Sequence, residues 1–129
     1  MNEHNLVYWS RPWTTNAERS MHMHARAKLV KEWREAFAIL AHYDDLPTPM
    51  TSPVVVYVMP ILRDKRGQDV GACLPAVKAA IDGLVDYGLF PDDTPQHVST
   101  IVFCSPELSA GRDGLAIRLV HYTKEEMEG

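Results

Sequence analysis

The chain has 129 residues, of which 46% are hydrophobic and 23% are charged, and its formal net charge is −4 at pH 7. These values are typical of one globular domain, residues 1–129, with a core of its own, and they exclude a low-complexity chain. No apolar run approaches the ~20 residues that cross a membrane, and the sequence opens without a signal-peptide core. Only two cysteines occur, Cys73 and Cys104, without a CxxC pair. We therefore expect reduced thiols and a cytoplasmic location.

The N-terminal half predicts a strand, a long helix and a second strand. The first strand is expected at Leu6 to Trp9, and a polar stretch follows it to about His22. A helix is predicted from Met23 to His42 because apolar residues recur there at steps of three and four. These residues are Leu29, Val30, Trp33, Phe37 and Leu40. The nearly continuous β-branched run from Val54 to Met59 predicts a buried central strand.

The C-terminal half predicts a helix and two strands. The helix is indicated by Leu74, Val77, Ile81, Leu84 and Val85, with Pro75 in its first turn and a stop at Gly88. Strands are expected at Val98 to Cys104 and at Leu115 to Val120. This order predicts an α+β domain whose mixed sheet of about four strands packs against two main helices. The acidic tail from about residue 122 is expected to be disordered.

Acidic residues and one lysine concentrate on and around the second predicted helix. Lys78 and Asp82 are four residues apart, so they share one face of that helix. Asp92 and Asp93 follow in a turn bounded by Pro91 and Pro95, which fixes the direction of both carboxylates. Oxygen ligands of this kind suit Mg²⁺, with Mn²⁺ as an alternative, so the segment predicts a divalent metal site.

A basic stretch precedes this acidic segment. From position 11 to position 34 there are six basic residues, Arg11, Arg19, Arg26, Lys28, Lys31 and Arg34, against two acidic ones. Cations beside an acidic metal pocket are what a phosphodiesterase needs, because the cations hold the phosphates that flank the one being cut. A solvated helix face with mixed charges remains the alternative interpretation. Trp9, Trp13 and Trp33 are expected to be core or interface residues, and Trp13 is the candidate for stacking on an unpaired base.

The spacing of these residues resembles the RusA family of Holliday junction resolvases. That family typically shows Asp-x-Asp-Asn-x-x-Lys-x-x-x-Asp-x-Leu, a short loop and then Asp-Asp-x-x-Val. The matching positions here are Lys78, Asp82, Leu84, Asp92 and Asp93, whereas Val98 comes about two residues later than the valine of the pattern. The segment from Arg11 to Asn16, RPWTTN, also resembles the Pro-x-x-x-Asn element near the start of the family. The resemblance spans roughly Leu6 to Leu119.

The chain departs from the family pattern at its first acidic pair. Counting back from Lys78, those two positions hold Ala72 and Leu74, which cannot bind a metal. Asp69 is the nearby carboxylate, and it lies a few residues from the expected place. Either a longer turn lets Asp69 replace the pair, or the site is depleted and the protein binds branched DNA without cutting it.

The resemblance implies a magnesium-dependent, structure-specific endodeoxyribonuclease that resolves four-way DNA junctions by paired symmetric nicks. It implies a homodimer and a setting in phages or prophages. Catalytic roles would then fall to Asp69, Lys78 and Asp93, and metal binding to Asp69, Asp82, Asp92 and Asp93. The expected DNA-binding residues are Arg11, Asn16, Arg19, Arg26, Lys28 and Lys31. The alternatives are a noncatalytic domain of the same fold that binds branched DNA or a protein, and a metal hydrolase acting on RNA or nucleotides.

Overall fold

A computed structural model describes residues 2–50, 53–64, 69–92, 94–109 and 111–121 of the chain. Asp93 and the predicted acidic tail lie outside these residues. The described elements, in chain order, are β1 (Asn2–Tyr8), α1 (Thr15–Arg19), α2 (Met23–Tyr43), β2 (Val54–Leu62), α3 (Leu74–Tyr87), β3 (Val98–Phe103), β4 (Glu107–Leu108) and β5 (Gly114–His121). They form one mixed sheet and two substantial helices, so the predicted α+β class is confirmed.

Local sequence signals explain where the main helices begin and end. Pro75 occupies the first turn of α3, where its missing N–H costs nothing. The helix ends at Gly88, whose φ of +99° is left-handed and whose N–H donates to the carbonyls of Leu84 and Val85. Sequence analysis missed α1, which has five residues and is capped by the Thr14 hydroxyl accepting from the Ala17 N–H at 3.1 Å. It also missed β4, which has only two residues.

The sheet has the strand order β1-β5-β2-β3, with β4 pairing beside the last residues of β2. The β5 strand is antiparallel to both β1 and β2, whereas β2 is parallel to β3. Four strands, β1 to β4, therefore point the same way, and the chain crosses back through α2 between β1 and β2 and through α3 between β2 and β3. We use the term carboxyl edge for the end of the sheet at which strands β1 and β2 terminate. The amino edge is the opposite end, at which strands β2 and β3 begin.

Both long helices cover one face of the sheet. Along β2, Val54, Val56 and Val58 are buried, whereas Val55, Tyr57 and Met59 are half-buried on the other face. The prediction of a central strand is therefore right, but only one of its faces is fully covered. The helices contribute Trp33, Phe37, Val77, Ile81 and Leu84 to the same core. Within the described residues, no helix is both long enough and apolar enough to cross a membrane.

The two long helices approach each other closely at Gly83. A Cβ atom added there would lie 2.3 Å from the carbonyl oxygen of Arg34, so only glycine lets the α2 and α3 backbones come so near. One turn further along, the Arg34 guanidinium donates two hydrogen bonds to the Asp86 carboxylate, at 2.9 and 2.8 Å. This ion pair lowers the pKa of Asp86 and fixes the alignment of the helices.

Replacing Gly83 with alanine is expected to destabilise the protein. In an open helix this change would stabilise by up to about 1 kcal/mol. Here the backbone clash dominates, and we expect a net loss of about 2 kcal/mol in the free energy of unfolding. Urea unfolding measures it, with Gly111→Ala as the control because a Cβ at that position meets nothing within 4 Å. Equal stability of the two variants would contradict the close helix contact.

Candidate functional site at the carboxyl edge

A cleft of about 660 Å³ opens at the carboxyl edge of the sheet. Four separate stretches of the chain line it: the segment after β1, the residues after β2, the turn before α3 and the residue before β5. Its charged and polar side chains include Arg11, Asn16, Arg63, Asp64, Asp69 and Asp113. In sheets with parallel strands, ligands bind outside the carboxyl ends of those strands, so this carboxyl-edge cleft is the first candidate site.

The segment between β1 and α1 is held firmly in place and forms one wall of the cleft. The Thr15 N–H donates to the Ala72 carbonyl at 3.0 Å, which ties this segment to the turn before α3. The Trp13 ring is only 7% exposed, packs edge-on against Trp33, and donates its indole N–H to Glu18 at 2.8 Å. The suggestion that Trp13 stacks on a base is therefore wrong, because its ring belongs to the core.

Arginines and aspartates form an ionic network inside the cleft. One nitrogen of Arg11, Nη1, lies 3.5 Å from Asp64 Oδ2 and 3.5 Å from Asp113 Oδ1. The backbone N–H of Arg63 donates to Asp113 at 2.9 Å, and its guanidinium lies 3.8 Å from the same carboxylate. The backbone hydrogen bond is the main cause of the lowered pKa of Asp113, with Arg11 and Arg63 adding to it. Asp113 therefore stays ionised and orients both arginines.

Asp69 lines the same cleft, but its carboxylate has a different environment from that of Asp113. It belongs to the turn before α3, where its carbonyl accepts from the Ala72 N–H at 3.0 Å. Within the part of the chain that the structure describes, no hydrogen bond or ion pair engages the Asp69 carboxylate. Its oxygens can therefore accept a ligand without first losing an arginine. The structure thus brings Asp69 together with Arg11 and Asn16, three residues that were predicted for the site.

Lys78 and Asp82 lie in a second, adjoining cleft of about 380 Å³. This helix cleft is formed by α1, α2 and α3, and Glu18 and Arg26 also line it. The predicted sharing of one α3 face by Lys78 and Asp82 is confirmed. Asp69 is not among the lining residues of this cleft, so the structure does not bring it together with Asp82 as ligands of one ion.

Asp92 lies at the amino edge, far from the cleft. Its carboxylate accepts hydrogen bonds from the N–H and the hydroxyl of Thr94, and these bonds lower its pKa. It also lies 3.9 Å from Nε2 of His97, whose carbonyl accepts from the Val54 N–H at the start of β2. The cleft is at the other end of this nine-residue strand, about 25 Å away. Asp69 and Asp92 are therefore too far apart to share a metal ion within one chain. The predicted metal site pairs Asp93 with Asp69 or Asp92, and Asp93 lies outside the described ranges, so that pairing stays a prediction.

The predicted DNA-binding residues continue from the cleft along α1 and α2. Arg11 and Asn16 line the carboxyl-edge cleft, and Arg19 and Arg26 line a neighbouring hollow between the two helices. Arg26 lies 3.8 Å from Glu18, and Lys31 lies 3.9 Å from Glu35. Lys28 is exposed on α2. The surface carries both signs of charge, so the mixed helix face that sequence analysis left open describes part of it.

The carboxylates of the cleft can provide fewer ligands for a magnesium ion than sequence analysis predicted. Among the described residues no group of three or more histidine, cysteine, aspartate or glutamate side chains could hold a metal ion. The cleft does hold Asp69 and Asp64, and magnesium usually binds one or two carboxylates together with substrate phosphates and waters. Sequence analysis missed Asp64, Arg63 and Asp113. Their positions directly after β2 and before β5 were the available signal, because both places lie at the carboxyl edge.

Comparison with known proteins adds no relative to this picture. No protein-family model matches the chain, and no curated protein matches it significantly. The resemblance to the RusA family therefore stays a hypothesis that depends on the spacing from Lys78 to Asp93 and on the segment from Arg11 to Asn16.

The charge of Asp113 is expected to stabilise the protein above its pKa and not below it. Asparagine at position 113 can still accept the Arg63 N–H but loses the attraction to both guanidinium groups. Because the folded-state pKa lies below the ordinary value of 3.8, this contribution is complete above that value and disappears as the pH falls through the folded pKa. Urea unfolding at pH 7 should therefore show Asp113→Asn as less stable, and the difference should shrink below pH 4. Glu107→Gln, at an exposed residue of β4, is the control, and a gap independent of pH would contradict the network.

Proposed function

We propose that this protein is a magnesium-dependent, structure-specific endodeoxyribonuclease of the RusA type, which resolves four-way DNA junctions by paired symmetric nicks. The observation that supports the proposal best is the carboxyl-edge cleft, where Asp69 meets Arg11 and Asn16 from a distant part of the sequence. Carboxylates that can hold a hard metal ion and cations that can hold phosphates thus share one opening.

The residues of the cleft have different roles in this proposal. Asp69 and Asp64 face the phosphate that is cut, and Arg11 and Arg63 hold its neighbours along the strand. Magnesium, when bound, would polarise a phosphate oxygen and make a water molecule more acidic. Asp113 keeps both guanidinium groups in place, so the cations are positioned before DNA arrives.

Asp92, at the amino edge, has no role in the cleft under this proposal. Its position there favours Asp69 and Asp64 as the metal ligands. Lys78 lines the adjoining helix cleft. There its ammonium group, a point charge, can attract a phosphate of the same DNA arm. The revised ligand set thus keeps one of the predicted metal residues, Asp69, and adds Asp64.

A four-way junction has two-fold symmetry, and its resolution needs two opposed nicks. One cleft of this size acts on one phosphodiester at a time, so we propose a homodimer with two clefts related by the same symmetry. Phage or prophage recombination in a host cytoplasm is the proposed setting.

Removing the Asp69 charge is expected to slow DNA cleavage much more than it weakens DNA binding. With Mg²⁺ and a synthetic four-way junction, wild-type protein should give paired symmetric nicks, and Asp69→Asn should cut about 10²-fold more slowly at matched DNA occupancy. Asp92→Asn is the matched control, because it removes an equal charge at the opposite edge. Asp93→Asn belongs in the same series. Its failure to cut, together with full activity of Asp69→Asn, would place the metal outside the carboxyl-edge cleft.

A second candidate function is binding of branched DNA without cleavage. It is favoured by the arginines that already lie near Asp64 and Asp113, and by the lack of a three-donor metal group among the described residues. In this case the chain grips DNA through Arg11, Arg19 and the exposed face of α2. Tight binding to junctions with no nicks in Mg²⁺ or Mn²⁺ would favour this function over the first. Cleavage assays with RNA, flap and junction substrates distinguish both of these functions from that of a metal hydrolase acting on RNA or nucleotides.

In either case, binding should depend strongly on salt. Each phosphate contact contributes roughly −0.9 to the slope of log affinity against log salt concentration. Changing Arg19, Lys28 and Lys31 together to glutamine should make that slope shallower by about 2 to 3, because Lys31 is partly paired with Glu35. Junction binding at a series of salt concentrations measures it. An unchanged slope would mean that DNA does not contact this face of α1 and α2.

A further inference from the structure

An exposed tryptophan and an arginine stack close in sequence to two residues that line the carboxyl-edge cleft. Trp9 follows β1 and is 43% exposed, and the Arg112 guanidinium carbon lies 3.8 Å from the centre of its ring. Each residue stands next to one that takes part in the cleft: Asp113 follows Arg112, and Arg11 comes two positions after Trp9. Because Arg11 Nη1 and Asp113 Oδ1 lie 3.5 Å apart, the backbone brings the Trp9–Arg112 pair to the neighbourhood of the cleft.

The chain is built to hold the Trp9 ring in this place. A Cβ atom at Gly114 would lie 2.8 Å from Cε3 of Trp9 and 3.1 Å from the Tyr8 carbonyl oxygen. Only glycine therefore lets the ring rest so closely against the start of β5. Trp9 nevertheless remains 43% exposed, although burying an aromatic side chain would be favourable. A fixed and exposed aromatic ring is what a stacking ligand requires.

Arg112 differs from the arginines that line the cleft in its partners. Arg11 and Arg63 lie within 4 Å of Asp113. Within the described ranges, Arg112 has no carboxylate partner and contacts an aromatic ring instead. Its guanidinium is thus oriented by Trp9 while its charge remains available to an anion. Stacking of a nucleobase on tryptophan or on an arginine plane is favourable for every base.

We propose that the Trp9–Arg112 pair binds one unpaired nucleotide, with its base stacked on the pair and its phosphate attracted by Arg112. The inference rests on the proposed function for its DNA ligand but not for cleavage. At a junction, such a site would hold a base displaced from the branch point while the adjoining phosphate enters the cleft. It gives the protein a preference for unpaired over fully paired strands.

The chain supplies its own optical reporter for this site. Trp13 is 7% exposed and Trp33 is fully buried, so Trp9 is the exposed tryptophan among the three. Titration with an oligothymidylate should therefore quench tryptophan fluorescence. An abasic oligonucleotide of equal length carries the same phosphates without bases, and it should quench much less.

Equilibrium binding in EDTA tests the proposal without cleavage. Wild-type protein should bind the oligothymidylate about tenfold more tightly than the abasic strand. Trp9→Ala should lose this preference and keep its affinity for the abasic strand. Arg112→Gln should weaken binding of both strands. Arg118→Gln is the matched control, because Arg118 stacks on Tyr57 at 4.8 Å, away from the cleft.

The outcomes for this site and for the nuclease are separable. If no divalent metal supports cutting, and Trp9→Ala still loses the base preference, the nuclease proposal fails and the nucleotide site stands. If wild-type protein binds both strands equally, or a folded Trp9→Ala variant keeps the preference, the nucleotide site is overturned whatever the cleavage assay shows. Far-ultraviolet circular dichroism of the variant checks its folding.

Discussion

The parallel pairing of β2 with β3 decides where the candidate residues before and after α3 can lie. Two parallel neighbours require a crossover, and α3 provides it by running from the carboxyl edge back to the amino edge. A helix of 14 residues is about 21 Å long. Asp69 before the helix and Asp92 after it are therefore held at opposite edges. Both long helices depend on the same geometry, since their contact at Gly83 requires that they return over one face of the sheet.

Sequence periodicity predicted the elements because each signal is local. Pro75, the apolar stripe of α3 and Gly88 together define a helix without reference to the rest of the chain. The five-residue α1 has no comparable stripe, and its hydroxyl cap at Thr14 is visible only once the backbone is folded. Pairing across the sheet is also not local. The insertion of β5 between β1 and β2 depends on side chains that are more than fifty positions apart, so spacing alone could not predict it.

The candidate site was predictable to the extent that its residues follow strand ends. Arg11 and Asn16 were identified from charge and from a short motif, and the fold brings them to Asp69. Asp113 was missed because it stands in a small-residue loop with no acidic neighbour in sequence. Its importance comes from two arginines that reach it from distant segments. For the tryptophans, the composition around Trp13 favoured exposure, whereas packing against Trp33 buries that ring and leaves Trp9 exposed.

Two arginines and three aspartates line the carboxyl-edge cleft, so in the proposed function a chain with a net charge of −4 binds DNA through oriented guanidinium groups and not through an excess of positive charge. Asp113 neutralises charge in the free protein, but it also holds Arg11 and Arg63 in one orientation, which lowers the entropy lost when a phosphate binds. Arg112 is oriented by an uncharged ring and keeps its full attraction for an anion. In the proposed function, phosphate contacts are thus concentrated on oriented guanidinium groups at one edge of the sheet, while the net negative charge of the chain disfavours nonspecific coating of DNA. Under the two proposals together, such a distribution selects for DNA whose shape places a phosphate and an unpaired base at the same edge.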